Sequence, residues 1–350
     1  MAITYEENEF DFIIKARKQA QKLVENYQKY LENAIKIKIP FIELENNIKY
    51  RKIAALDGGE RLKNLIASSI IVVRGGGGIF EIDKKIKKYI MHDLFVTSMV
   101  KDLERFSHLI RDIMEFKIAL KLLEEDPEVL IMDGSLVGYI TRGLPNEVVG
   151  RLNDKKITHM PTKEYVNKYK EYLRLYDRIL KKCEDNDIIL LGVSKDSRVR
   201  YLVKSYKLNS ALTDYALLKL KMNKPGVTRP IDAKYKYVRR TISDFIATHN
   251  LLEDRLRSFK VCYFKLKKTS IPIRVDFPVW QLNHFKEIMS IMETYHDKKG
   301  FLLTAHLVHN WAVMREYIVN SSVNTIKEEV LKLNPAIYDS IFSPQRRENV

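Results

Sequence analysis

Two apolar segments of the chain each lead into an aspartate followed by glycine, and this repeated pattern is the first that points to chemistry. They are Ala54-Ala55-Leu56-Asp57-Gly58-Gly59 and Leu130-Ile131-Met132-Asp133-Gly134-Ser135. A buried strand that ends in aspartate places a carboxylate at a sheet edge, and the following glycine lets a ligand approach. If the strands are neighbours, Asp57 and Asp133 converge, and such a pair binds Mg²⁺ or Mn²⁺ or shares a proton. The alternative for either dipeptide alone is an ordinary turn.

A third acid could come from the helical stretch that precedes Asp133. Asp112 and Glu115 are three residues apart, so they lie on one face of a helix. Both could instead be solvent-facing acids, which the helical pattern alone favours.

A cation follows a third apolar run, in the segment Gly192–Arg198. Lys195 could hold a scissile phosphate, or it could be an ordinary surface lysine. Ser197 is a possible helix N-cap, and Arg198 would then lie in the first turn.

Two histidines near the C-terminus stand three residues apart, in Thr304-Ala305-His306-Leu307-Val308-His309. This is not the His-x-x-x-His spacing of a zinc pair. Either histidine could bind a metal or move a proton. The alternative for each is a core or surface histidine.

The segment Arg74–Gly78, with four consecutive glycines, separates two apolar β-branched runs. It has neither the lysine and hydroxyl of a phosphate-binding loop nor the spacing of a dinucleotide fingerprint. We interpret it as a mobile turn between two paired strands, Ser68–Val73 and Ile79–Ile82.

The positive charge of the 350-residue chain is concentrated in one region. Lysine and arginine total 61 against 45 aspartate and glutamate, a formal charge of +16. Residues 151–240 hold 23 basic and 10 acidic residues, so 23 − 10 = +13 lies there and 16 − 13 = +3 elsewhere. Within this region, the stretch Lys195–Arg240 also holds five tyrosines: Tyr201, Tyr206, Tyr215, Tyr235 and Tyr237. This segregation favours a nucleic-acid surface over solvated helix faces.

The elements that must position these residues alternate between helices and strands. Predicted strands are Lys49–Leu56, Ser68–Val73, Val129–Met132, Ile188–Val193, Phe259–Leu266 and Ile271–Phe277. Predicted helices are 5–35, Asp93–Glu124, Thr162–Lys182, Trp280–His296, Leu302–Tyr317 and Asn324–Leu333. The pattern predicts an α/β fold, a mixed sheet covered by helices. We divide the chain into an N-terminal helical element (1–40), a core with a basic insertion around 151–240 (41–320), and a C-terminal helix and tail (321–350).

Composition excludes several classes of protein. Hydrophobic residues make up 45%, enough to fill a core, so disorder of the whole chain is excluded. The longest apolar run, around Ile66–Val73, is far short of a membrane span, and acids occupy the region where a signal peptide would be apolar. Cys183 and Cys262 are far apart, which argues against a disulfide framework and favours a reducing cytoplasm.

Together the motifs resemble the NurA family of DNA-end-processing nucleases. The matching pieces, in family order, are Ala55-Leu56-Asp57-Gly58-Gly59-Glu60, Met132-Asp133-Gly134-Ser135-Leu136, Ser194-Lys195-Asp196-Ser197-Arg198, Thr213-Asp214 and Ala305-His306. Each is short, and their ordered combination is specific. Gly59 stands where many relatives have serine, a departure that leaves the carboxylate of Asp57 in place.

The resemblance implies a ribonuclease H-like core and a manganese-dependent nuclease, with Mg²⁺ as an alternative metal. The implied activities are 5′–3′ exonuclease and single-strand endonuclease, in double-strand-break end resection. A homodimer would act on single- and double-stranded DNA with a HerA-type hexameric ATPase.

The resemblance also assigns roles to individual residues. Two Mn²⁺ about 4 Å apart would be held by Asp57, Glu115, Asp133 and His306. Lys195 would neutralise transition-state charge. It would also contact DNA, together with Arg198 and Tyr201. Asp214 is a further candidate, and motif matching leaves open whether it or Tyr201 approaches the metal.

Two other functions fit parts of this pattern. Actin-like ATPases and sugar kinases also place Asp-Gly turns around Mg²⁺, but the chain has no clear adenosine site. A non-enzymatic DNA-binding adaptor that loads a helicase would explain the charge, although it leaves the repeated Asp-Gly segments unexplained.

Overall fold

We analysed a computed structural model of the chain. It describes residues 9–44, 50, 52–65, 67–98, 102–141, 145–152, 160–195, 198–208, 212–233, 243–244, 246, 249 and 258–342. Three residues discussed above, Ser197, Tyr235 and Tyr237, lie outside these ranges.

The strands form one mixed sheet. They are β1 Phe41–Ile42, β2 Lys52–Asn64, β3 Ser69–Glu81, β4 Lys87–Thr97, β5 Val129–Asp133, β6 Ile189–Ser194, β7 Gly226–Thr228, β8 Ile231–Asp232, β9 Phe259–Lys265 and β10 Ile273–Pro278. Their order is β1-β7-β9-β10-β6-β5-β2-β3-β4, with β8 paired to β9. The first long strands, β2, β3 and β4, form an antiparallel meander. β5 and β6 then continue parallel to β2.

Helices cover the sheet. They are α1 Glu9–Ile35, α2 Leu103–Leu122, α3 Leu136–Thr141, α4 Asn146–Arg151, α5 Met160–Asp185, α6 Tyr201–Ser205, α7 Asp214–Lys221, α8 Phe285–Thr294, α9 Leu303–Ala312, α10 Glu316–Leu333 and α11 Pro335–Phe342. Two 3₁₀ helices span Leu123–Glu125 and Val279–His284. In the described part of the chain, no helix combines the length and apolar character needed to cross a bilayer.

The core has a layer on each side of the sheet. One layer contains α2 and α5 and surrounds the rings of Phe116, Tyr172 and Tyr176. The other contains α8 and α9. Strands β5, β6, β9 and β10 are buried almost throughout because both faces of the sheet are covered there. The expected α/β sheet flanked by helices is therefore confirmed. The meander followed by two parallel strands is consistent with a ribonuclease H-like core.

The predicted turn at Arg74–Gly78 is wrong, because β3 runs through it without a break. Its glycines alternate between the two faces and let a helix press on each. A Cβ at Gly77 would lie 2.6 Å from Ile118 of α2, and one at Gly76 would lie 2.8 Å from the backbone nitrogen of Ala312 in α9. The four glycines therefore mark a sheet packed closely on both sides rather than a turn.

Two predicted boundaries also move. The first residues of the predicted helix Asp93–Glu124 belong to β4, which pairs with β3 from Lys87 to Thr97. The predicted strand end at Asp57 is wrong, since β2 continues to Asn64 along β3. In both places pairing with β3 extends a strand beyond its apolar residues. The three-part division of the chain stays a prediction.

The close approach of α9 to β2 gives a stability prediction. A Cβ at Gly59 would lie 2.3 Å from the carbonyl oxygen of Ala312, a backbone atom that cannot rotate away. We expect Gly59→Ala to lower the free energy of unfolding by about 1–3 kcal/mol. Gly150→Ala is the control, because nothing lies within 4 Å of a Cβ there. Urea unfolding of both variants tests this, and equal midpoints would contradict it.

Candidate metal centre

The two aspartates predicted to converge do so. Leu56 of β2 pairs with Met132 of β5 in parallel register, so the next residue of each strand is an aspartate at the same level of the sheet. Asp57 is buried, and the side chain of Asp133 is 12% exposed. The sheet thus brings two carboxylates to one place on the face covered by α9.

A histidine completes this cluster. Nδ1 of His309 lies 2.7 Å from Oδ2 of Asp57 and 3.9 Å from Oδ2 of Asp133. One ligand atom from each of the three residues lies within 4.8 Å of the others. Two carboxylates and an imidazole at this spacing fit a divalent cation such as Mn²⁺ or Mg²⁺.

Glu115 reaches the same strand from the opposite layer. A Cβ at Gly58 would lie 2.5 Å from Cγ of Glu115, so only glycine leaves room for this side chain next to Asp57. Its Oε2 accepts a hydrogen bond from the Tyr139 hydroxyl at 2.5 Å. Asp112, the other candidate, is fully buried and contacts Arg111 at 3.0 Å. Neither acid faces solvent, and Glu115 is the one beside the predicted metal site.

A lysine neutralises the other side of the cluster. Lys195 follows β6, whose Val193 pairs with Asp133. Its Nζ lies 2.9 Å from Oδ2 of Asp133. Lys195, the positively charged residue predicted from the sequence, therefore lies beside the acids.

The pKa values of the site reflect burial and crowded negative charge. Burial raises the pKa of Asp133, and the charge of Asp57 adds to this rise. Burial also raises the pKa of Glu115. The hydrogen bond to Asp57 raises the pKa of His309. Each shift means that the cluster favours added positive charge, which a bound divalent cation would supply in place of protons.

The other predicted residues are not members of the Asp57, Asp133 and His309 cluster. His306 is exposed on α9. Arg198 is exposed. Tyr201 begins α6, and its ring centroid lies 5.2 Å from the Arg274 guanidinium.

Asp214 serves α6 rather than the acidic cluster. It is fully buried, and its carboxylate accepts the backbone N–H of Leu202 at 3.0 Å and of Val203 at 2.8 Å. The hydroxyl of Tyr263 donates to the same carboxylate. Asp214 therefore fixes the N-terminus of α6 and, with it, the position of Tyr201.

Sequence motifs selected His306, whereas the structure places His309 at the carboxylates. The signal that separates the two histidines is helical periodicity. Ala305, Val308 and Ala312 are buried on the side of α9 that faces the sheet. His309 lies four residues after Ala305 and three before Ala312, so it shares their side of the helix. His306 directly follows Ala305, which places it about 100° further round the helix.

A family model for the NurA domain matches residues 51–313 of the 350. The chain belongs to the NurA family. The resemblance inferred from the short motifs is therefore confirmed. None of the curated proteins compared matches the sequence.

Solved NurA structures share the fold of almost the whole chain. The NurA nuclease from Sulfolobus solfataricus is 16% identical, with a TM-score of 0.66 over 94% of this chain and 98% of that one. A NurA structure with manganese is 12% identical, with a TM-score of 0.62 over 91% and 98%. A NurA bound to dAMP and manganese is also 12% identical, with a TM-score of 0.56 over 87% and 93%.

Proposed function

We propose that this NurA family member is a manganese-dependent DNA nuclease that hydrolyses phosphodiester bonds. The observation that carries the proposal is the cluster of Asp57, Asp133 and His309, with Glu115 and Lys195 beside it. Manganese is supported by this donor set and by the manganese in related NurA structures. The dAMP bound to one of those relatives supports a DNA substrate.

The acidic residues would hold the metal and Lys195 would meet the phosphate. Asp57, Asp133 and His309 form one donor set, and Glu115 extends it on the α2 side. Bound manganese would supply Lewis acidity and lower the pKa of a water. Lys195 would offset the negative charge that develops on the scissile phosphate. The two-metal arrangement predicted from sequence remains part of this proposal.

The basic segment 151–240 would hold the DNA backbone. Lys195 joins this segment to the cluster, and the exposed Arg198 follows three residues later. Contacts to phosphates carry no sequence information, so we propose cleavage without sequence preference. Tyr201 would contact an unpaired base near the site.

A homodimer is supported by α1. Its residues Ile13, Ala16, Ala20, Leu23 and Tyr27 are spaced alternately by three and four, the repeat of a coiled-coil seam. Leu23 is 59% exposed, and most of α1 is solvent-exposed. Residues 9–22 carry 4 − 2 = +2 and residues 23–35 carry 1 − 2 = −1, so two antiparallel copies would pair opposite charges. Light scattering measures the oligomeric state.

We also propose finer activities for this nuclease. They are 5′–3′ exonuclease and single-strand endonuclease action in double-strand-break end resection, with a HerA-type hexameric ATPase as partner, in the cytoplasm. A pull-down with such an ATPase and end-labelled substrates of each polarity test them.

The proposed activity predicts metal-dependent loss of DNA. Single- and double-stranded oligonucleotides labelled at the 5′ end should be degraded with Mn²⁺ and remain intact with excess chelator. Returning Mn²⁺ should restore cleavage, because the acidic cluster needs a cation to act on phosphate. Metal-independent binding without any cleavage would contradict the nuclease and favour the DNA-binding adaptor.

A further inference from the structure

Arg111 of α2 lies among three carboxylates next to the metal site. Its guanidinium is 3.0 Å from Asp112, 3.1 Å from Glu60 and 3.2 Å from Oε1 of Glu115. Its side chain is only 22% exposed, and Asp112 and Glu115 are almost fully buried. Such an arrangement is held by charge as well as by shape, because unpaired buried carboxylates would repel one another.

Both oxygens of Glu115 are engaged by this surrounding layer. Arg111 contacts Oε1 and the Tyr139 hydroxyl donates to Oε2. Gly58 closes the third side, where a Cβ would lie 2.5 Å from Oε1. Glu115 thus has little rotational freedom, and its carboxylate is directed at β2 beside Asp57.

We propose that Arg111 is a positioning residue that sets the geometry of Glu115 for metal binding and catalysis. It acts through Glu115 and does not contact the substrate. This inference rests on the proposed nuclease function. Residues that orient metal ligands change metal affinity or activity by about 10- to 100-fold when replaced.

Arg111→Lys tests the geometry at constant charge. A lysine ammonium cannot reproduce a planar fork that meets three carboxylates at once. We expect the Mn²⁺ dissociation constant, measured by calorimetry without DNA, to rise about tenfold. We expect kcat for DNA cleavage to fall by at least about tenfold, while KM for DNA changes by less than about twofold.

Arg105→Lys is the matched control on the same helix. Arg105 pairs with Asp102 at 3.4 Å, and its side chain is 54% exposed. Its conversion to lysine should leave Mn²⁺ affinity and kcat unchanged. A purely structural role for Arg111 would lower the unfolding temperature of Arg111→Lys without changing these two constants.

Tyr139→Phe tests the other contact if Arg111→Lys fails to fold. It removes one hydroxyl from a buried ring and should weaken Mn²⁺ binding and kcat in the same direction. Normal Mn²⁺ affinity and kcat in folded Arg111→Lys would overturn the inference, and if that variant does not fold, the same result in Tyr139→Phe would overturn it. If Asp57→Asn is inactive in the same assays, the nuclease proposal still stands. If the wild-type protein neither binds Mn²⁺ nor cleaves DNA, both proposals fall.

Discussion

Asp57→Asn is expected to abolish Mn²⁺-dependent DNA cleavage while DNA binding stays within about twofold of wild type. The substitution keeps the shape of the side chain and removes its charge at the centre of the cluster. Oδ2 of Asp57 faces His309 and Oδ1 accepts the N–H of Gly58 at 2.8 Å. Loss of a central ligand should lower kcat by at least about a thousandfold, or about 4 kcal/mol of activation free energy.

Asp93→Asn provides a matched control. Asp93 is also a strand aspartate whose Oδ1 accepts the N–H of the next residue, at 2.8 Å, but it is exposed on β4. This variant should cleave DNA at the wild-type rate. Cleavage by folded Asp57→Asn at the wild-type rate would exclude Asp57 as a ligand.

Protein stability separates a lost ligand from a damaged fold. Asp57 and Asp133 repel each other in the buried cluster, and the charge of Asp57 helps raise the pKa of Asp133. Removing one charge relieves this repulsion. The unfolding temperature of metal-free Asp57→Asn should therefore be no lower than that of the wild type.

The strands that lead to Asp133 and Lys195 could be predicted because their apolar runs are buried on both faces. β5 and β6 begin and end within one residue of their predicted bounds, 129–132 and 188–193. β4 could not be found in this way, because its burial follows no period and its whole length is held by pairing with β3. The glycines of β3 predicted a turn for a related reason. They allow α2 and α9 to pack closely on the sheet, and both helices are distant from β3 in the sequence.

The same distinction applies to the candidate site. Asp57, Asp133 and Lys195 lie in or next to buried strands, so strand order alone brings them together. Glu115 and Asp112 share a helix face, and only the close approach of Gly58 selects Glu115. Arg111 belongs to none of the sequence motifs. Its proposed role depends on the acids that the fold brings around it.

The histidines give the second prediction of large effect. His309→Ala should lower kcat for Mn²⁺-dependent cleavage by at least about a hundredfold, since it removes the imidazole that faces both Asp57 and Asp133. Its side chain is 53% exposed, so little packing is lost and the unfolding temperature should hold. His306→Ala, three residues earlier on the same helix, should cleave within about twofold of the wild type.

The comparison of the two histidine variants is sharp because each controls for the other. Both remove an imidazole from an exposed position on α9, and both leave the buried residues Ala305, Val308 and Ala312 untouched. General damage to α9 would lower the activity of both variants alike. If His306→Ala loses cleavage activity while His309→Ala cleaves normally, the metal ligand is His306, the histidine that the family motif favours. If only His309→Ala loses cleavage activity, the metal ligand is the histidine that α9 turns toward the carboxylates. The contact of Ala312 with Gly59 and Gly76 fixes that rotation of the helix.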